Sequence, residues 1–146
     1  MNYKDLIKNG IDLARNGKFI EAENNFKQAI EQDSSLTDSY INLANIFVMQ
    51  NRIDESINIL KSYLFDICFN QNIINHFWKI SQNFGKEDKF FKTISSFADS
   101  NTLNKKDLAY IYYLHGRYYA KTNDIELSIE YFKKSIFFDE LFTDSY

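Results

Sequence analysis

Residues 16–33 read NGKFIEAENNFKQAIEQD, and residues 123–140, near the other end of the chain, read NDIELSIEYFKKSIFFDE. Each segment opens on a turn signal. Each then places a large apolar residue, a small residue three positions on, and a phenylalanine four beyond that. These are Phe19, Ala22 and Phe26 in the first segment, and Ile125, Ser128 and Phe132 in the last. A further copy, NRIDESINILKSYLFD from Asn51, gives Ile53, Ser56 and Leu60, each 34 residues after its counterpart in the first segment. Steps of three and four put such residues on one face of an α-helix. Recurrence at a fixed period says more about architecture than the propensity of any one segment.

Ahead of each copy lies a second helical pattern. It is Leu6, Gly10 and Leu13 in the first case, Tyr40, Leu43, Ala44 and Phe47 in the next, and Tyr112, Gly116 and Tyr119 in the last. Each unit is therefore helix, short turn, helix. The small residues have a mechanical task, because close approach of two helix backbones needs small side chains at the crossing. Gly10 or Ala44 on the first helix is expected to face Ala22 or Ser56 on the second.

A third unit, residues 71–104, is degenerate. Its first helix reads through Ile73, Ile74, Phe77 and Ile80, and Gly85 marks its turn, but Trp78 and Phe90 stand where small residues are expected. Two large side chains in a close-packing slot predict a wider helix pair. The spacing to the last unit then grows by four residues, about one helical turn. Asn104 as an N-cap with Asp107 in the first turn places that turn at the start of the last first-helix, near Lys105. The eight helices are predicted near 3–15, 19–32, 37–50, 53–66, 71–83, 87–99, 105–121 and 125–139.

This pattern resembles the tetratricopeptide repeat, a 34-residue helical hairpin. The resemblance covers nearly the whole chain, as repeats at about 3–36, 37–70, 71–104 and 109–142 of one domain, 1–146. It implies an all-α, right-handed α-solenoid of four repeats. The family's closing proline is missing, with Ser34, Cys68 and Glu140 in its place. The tetrapeptide TDSY opens the second repeat at Thr37 and recurs at Thr143–Tyr146, where it reads as the start of a truncated fifth repeat. Solenoids finish on a polar capping helix. With none in sight, the expectation is an excised fragment or a chain that covers its last face by self-association, through Phe137, Phe138 and Phe142.

Composition narrows the function classes. The chain has 146 residues, 45% of them hydrophobic, no proline and a single cysteine, so it suits a folded helical domain without an intrachain disulfide. A net charge of −3 does not suggest a nucleic-acid partner. No apolar run is long enough to span a membrane, and a cytoplasmic protein is expected. Cys68 has no His or Cys at metal-ligand spacing, and His115 reads as a core histidine. No phosphate-cradling glycine loop or nucleophile elbow is present. No cofactor, metal or catalytic residue is expected, and the protein is not read as an enzyme.

The resemblance implies a concave face lined by the first helices. Helical spacing around the packing slots places Ile7, Ile11 and Arg15 there from the first unit, with Ile41, Asn42, Asn45 and Met49 from the second. The third supplies Asn75 and Lys79, and the fourth Tyr113 and Arg117. Basic residues outnumber acidic ones on these positions, while Glu21, Glu23, Asp54, Glu55, Glu126 and Glu130 lie on the second helices. Such a groove suits an extended, acidic peptide, with Asn side chains pairing to peptide backbone. The carboxylate clamp of chaperone-binding members is not expected, since of its positions only Asn42 matches. The segment YINLANIF is similar to repeats of O-GlcNAc transferases through Asn42 and Asn45, but no asparagine ladder follows. The function read here is a protein–protein interaction module binding a peptide or partner protein. The alternative is the substrate-recognition or assembly arm of a glycosyltransferase or sulfotransferase with catalysis beyond Tyr146.

Overall fold

The computed structural model of the protein describes residues 1–100 and 102–143, with side chains through Glu140. Among the described residues there are eight α-helices and no strand. They are α1 (Tyr3–Arg15), α2 (Phe19–Gln32), α3 (Thr37–Met49), α4 (Ile53–Asp66), α5 (Gln71–Asn83), α6 (Glu87–Asp99), α7 (Lys105–Lys121) and α8 (Ile125–Thr143). Seven agree with the periodicity to within a residue. The eighth runs on to Thr143, past the end predicted near residue 139. Glu140 explains this: standing where the family closes with proline, it keeps the N–H that a continuing helix needs. Of the residues read as the start of a fifth repeat, 143–146, Thr143 is the last residue of α8 and the other three lie outside the described residues.

The turn inside each hairpin shows the repeat most directly. Gly17, Asn51, Gly85 and Asn123 all have positive φ, at 74°, 59°, 65° and 64°. The first three are 34 residues apart and the fourth follows after the four-residue insertion. This left-handed geometry ends a helix and favours Gly or Asn. The residue after each donates its N–H back to the previous turn. Lys18 donates to the Leu13 carbonyl at 2.9 Å, Arg52 to Phe47 at 2.7 Å, Lys86 to Ser81 at 2.8 Å and Asp124 to Tyr119 at 2.9 Å. The inserted turn is capped as the sequence predicts: the Asn104 side chain accepts from the Asp107 N–H at 2.8 Å. Asn2 and Asn70 cap α1 and α5 in the same way.

The chain divides into two compact units, Met1–Glu87 and Asp88–Tyr146. In the first, α1 to α5 pack in sequence order. Ala22, Phe26, Leu43, Ile46 and Phe47 form one buried cluster, with Ile7, Ile11, Phe19 and Ile30 packed on its edge. Ile57, Leu60 and Leu64 of α4 are buried, as are Ile73, Ile74 and Phe77 of α5. Trp78 is only half-buried; the neighbouring Phe77 is the fully buried ring of that helix. Arg52 ties the two hairpins of this unit together. Its guanidinium donates to Glu23 of α2 at 2.6 Å and to Glu55 of α4 at 2.6 Å, over the face of Phe47.

In the second unit α7 and α8 form a close hairpin, and α6 contributes Phe91, whose ring meets His115 at 5.0 Å and Tyr118 at 4.3 Å. His115 is buried. Its Nδ1 lies 3.0 Å from the Ile111 carbonyl, and its Nε2 lies 3.0 Å from the Ser95 hydroxyl. Its ring stacks on Tyr131, which in turn stacks on Tyr119.

Candidate functional site

The groove reading is most concrete in the first unit. α1 and α3 run side by side, and their 3.6-residue period turns Ile11 and Arg15 of one toward Asn42, Asn45 and Met49 of the other. These five residues, with Ala14, Phe26 and Ile46, line a single cleft of about 180 Å³. Phe26 and Ile46 belong to the buried core, so the floor is apolar and rigid. The rim is polar. Arg15 is exposed and held only by a 3.5 Å contact to Asp12, one turn back. Among the described residues, neither Asn42 nor Asn45 spends its side-chain amide on an internal hydrogen bond. An amide offers both donors and an acceptor, which matches the alternation of a peptide backbone.

Ile7 lines a neighbouring depression of about 500 Å³ together with Tyr3, Lys4, Leu36 and Asp38. Ile41 of α3 is half-buried and lines neither cleft. Asn75 and Lys79 are exposed on α5 of the same unit. Tyr113 and Arg117 belong to the second unit, where both are exposed on α7 and the guanidinium sits 5.7 Å from the ring centroid. Of the residues read as a self-association surface, Phe137 is exposed, and Phe138 is half-buried with its ring 5.5 Å from Tyr112. The side chain of Phe142 lies outside the described residues. The apolar surface of α8 is wider than these phenylalanines, since Ile125, Ile129 and Ile136 are all at least half exposed.

Cys68 and His76 bear structural contacts. Cys68 donates weakly to the Tyr63 hydroxyl at 3.7 Å, and that hydroxyl pairs with Thr37 at 2.9 Å across the α3–α4 hairpin. His76 Nδ1 lies 2.9 Å from the Asn72 carbonyl of its own helix. Among the described residues, no three His, Cys, Asp or Glu side chains gather to hold a metal ion, and no helix is long and apolar enough to cross a membrane.

Comparison with known proteins agrees with this architecture. Two family models, each describing the tetratricopeptide repeat, match residues 13–66 and 109–136, together more than half of the chain. The fold is similar to the crystal structure of MamA, with 18% identity, a TM-score of 0.58, and coverage of 98% of this chain and 81% of that one. It is equally similar to a tetratricopeptide repeat protein from Parabacteroides merdae, with 20% identity and a TM-score of 0.58. There the match covers 90% of this chain but 51% of the other. A second MamA structure matches at 15% identity and a TM-score of 0.52, covering 96% of this chain and 78% of that one. No curated protein sequence matches the chain. At these identities the likeness carries the fold and nothing finer. With its left-handed turn residues recurring in step, its small residues at the hairpin crossings and two matching repeat models, the chain belongs to the tetratricopeptide repeat family, an all-α solenoid fold.

Proposed function

We propose that the protein is a protein–protein interaction module whose first unit holds an extended peptide across α1 and α3. One observation carries this reading: Ile11, Arg15, Asn42, Asn45 and Met49, from two helices, converge on one cleft with an apolar floor and a polar rim. A cavity of about 150 Å³ is large enough for a benzene ring, so the cleft suits a single apolar side chain. Asn42 and Asn45 then pair with the peptide backbone on either side of that anchor. Lys4, Lys8 and Arg15 of α1 and Lys79 of α5 are exposed on the first helices of this unit, and they outnumber by one the exposed acids there, Asp5, Asp12 and Asp38. That balance favours a peptide with carboxylates, drawn in by the local field and not by the net charge of the chain.

The test begins with a random peptide library selected on the protein. Replacing Asn42 and Asn45 together with Ala weakens the selected peptides roughly tenfold. Melting changes little, since Asn45 is exposed, Asn42 is half-buried, and neither amide holds an internal hydrogen bond among the described residues. Arg15→Glu lowers affinity for the acidic members most. Selected peptides that bind the double variant as tightly as the parent place the site elsewhere.

A further inference from the structure

The first and last of the described helices present contrasting chemistry on the faces they leave uncovered. In α3 the face turned to the preceding hairpin carries Ser39, Leu43 and Ile46, all buried. In α5 the same register holds Ile73, Phe77 and Ile80, again all buried. In α7 it holds Ile111, His115 and Tyr118, of which the last two meet Phe91 of α6. In α1 the register falls on Asp5, Asn9 and Asp12, all exposed. The first helix is thus polar and exposed where most of its counterparts are buried.

The second helices show the reverse. In α4, Ile57 and Leu64 are 0% and 3% exposed. Their equivalents in α8, Ile129 and Ile136, are 50% and 56% exposed, and Ile125 continues the line at 54%. With the half-buried Phe132 between them, these residues recur at steps of four, three and four, a narrow seam along one side of the helix. An exposed seam of this kind marks an interaction surface.

We infer that α8 pairs with α8 of a second copy about a two-fold axis. Head-to-tail stacking would press Asp5, Asn9 and Asp12 of one copy onto the isoleucines of the other, burying carboxylates against apolar side chains, which is costly. A two-fold pairing buries the seam against itself. With Ile125 opposite Ile136 of the second copy and Ile129 opposite Phe132, the antiparallel register brings Glu126 beside Lys133 of the second copy, twice by symmetry. Glu126 and Lys133 are both exposed, and among the described residues neither has an ion-pair partner within its own chain. The remaining neighbouring pair on this helix, Lys134 and Glu130, is already joined at 2.7 Å.

Sedimentation equilibrium on the full chain, at concentrations up to about 1 mM, tests the pairing. The parent protein is a dimer. The double variant Ile129→Glu with Ile136→Glu is a monomer with unchanged helical circular dichroism. Glu126→Lys and Lys133→Glu each weaken the dimer by roughly tenfold or more, because each sets like charges opposite one another. The combined E126K/K133E chain recovers the parent affinity, and Asp5→Lys leaves it unchanged. Three outcomes overturn the inference: a parent that stays monomeric, a dimer indifferent to the isoleucine changes, or a charge-swapped double as weak as the single variants. Association that responds to Asp5→Lys but not to the α8 charges would mean head-to-tail stacking, and overturns it too.

Discussion

The Ser56 hydroxyl donates to the Ala44 carbonyl across the α3–α4 crossing at 2.8 Å, and Ser128 donates to Gly116 across α7–α8 at 3.0 Å. Both serines are buried. A small residue at the crossing thus does two things: it lets the backbones approach, and as serine it pins them. Removing a satisfied buried hydroxyl costs about 0.5–1.5 kcal/mol. Ser56→Ala is expected to lower stability by that amount in urea unfolding. Ser39 and Ser81 are the contrast, because their hydroxyls are buried without a partner among the described residues. Ser39→Ala removes an unsatisfied group and adds helix propensity, so it raises stability by about 1 kcal/mol or less.

Gly10 and Gly116 occupy equivalent crossings, and an added Cβ at either would strike a phenylalanine ring. The nearest ring atom is 2.8 Å away on Phe26 for Gly10, and 2.7 Å away on Phe132 for Gly116. The two sites differ in what can yield. Phe26 is 1% exposed within the core of the first unit, whereas Phe132 is half-buried on the outer helix. Overpacking costs about 1–3 kcal/mol, against about 1 kcal/mol gained in helix propensity for Gly to Ala. Gly10→Ala should therefore destabilise the protein, and Gly116→Ala should be close to neutral. Thermal melts of the two variants distinguish these outcomes.

The helix boundaries were legible because one 34-residue period repeats through residues such as Gly17, Asn51 and Gly85, whose left-handed turns stop each first helix. The small pairs Ala44–Ser56 and Gly116–Ser128 were legible as close crossings, though not as hydrogen bonds, since spacing says nothing of hydroxyl direction. The ring that dictates Gly10 was not evident, because Phe26 lies sixteen positions away on another helix. Arg52 was missed altogether. Glu23 and Glu55 read only as acids of the second helices, and only the fold brings them within reach of one guanidinium. Within the candidate site, helical phase sufficed to bring Ile11, Arg15, Asn42, Asn45 and Met49 together. It could not place Ile7 and Ile41 outside that cleft, because both share the phase without sharing its depth.

His115 makes stability depend on pH. Its Nδ1 must carry the proton it donates to the Ile111 carbonyl, so in the neutral ring Nε2 accepts from the Ser95 hydroxyl. Burial pushes its pKa below the ordinary 6.5, and the nearby Lys134 ammonium pushes the same way, against the Ile111 hydrogen bond. Between that lowered value and 6.5 the unfolded chain binds a proton that the folded chain refuses, so stability falls as pH drops through this window. Above 6.5 the ring is neutral in both states and the slope vanishes. His115→Gln should be less stable at neutral pH but should flatten the slope just below it. Melting temperatures of parent and variant across that window check both parts.

A peptide lying across α1 and α3 touches side chains that can be followed one by one. The most direct measurement is an NMR titration of the labelled protein with a library-selected acidic peptide, following side-chain as well as backbone signals. The largest changes are expected on the side-chain amides of Asn42 and Asn45 and on the methyl groups of Ile11, Ile46 and Met49, while those of Ile129 and Ile136 stay in place. Changes centred on the α8 isoleucines, with the Asn42 and Asn45 amides unmoved, would contradict binding across α1 and α3.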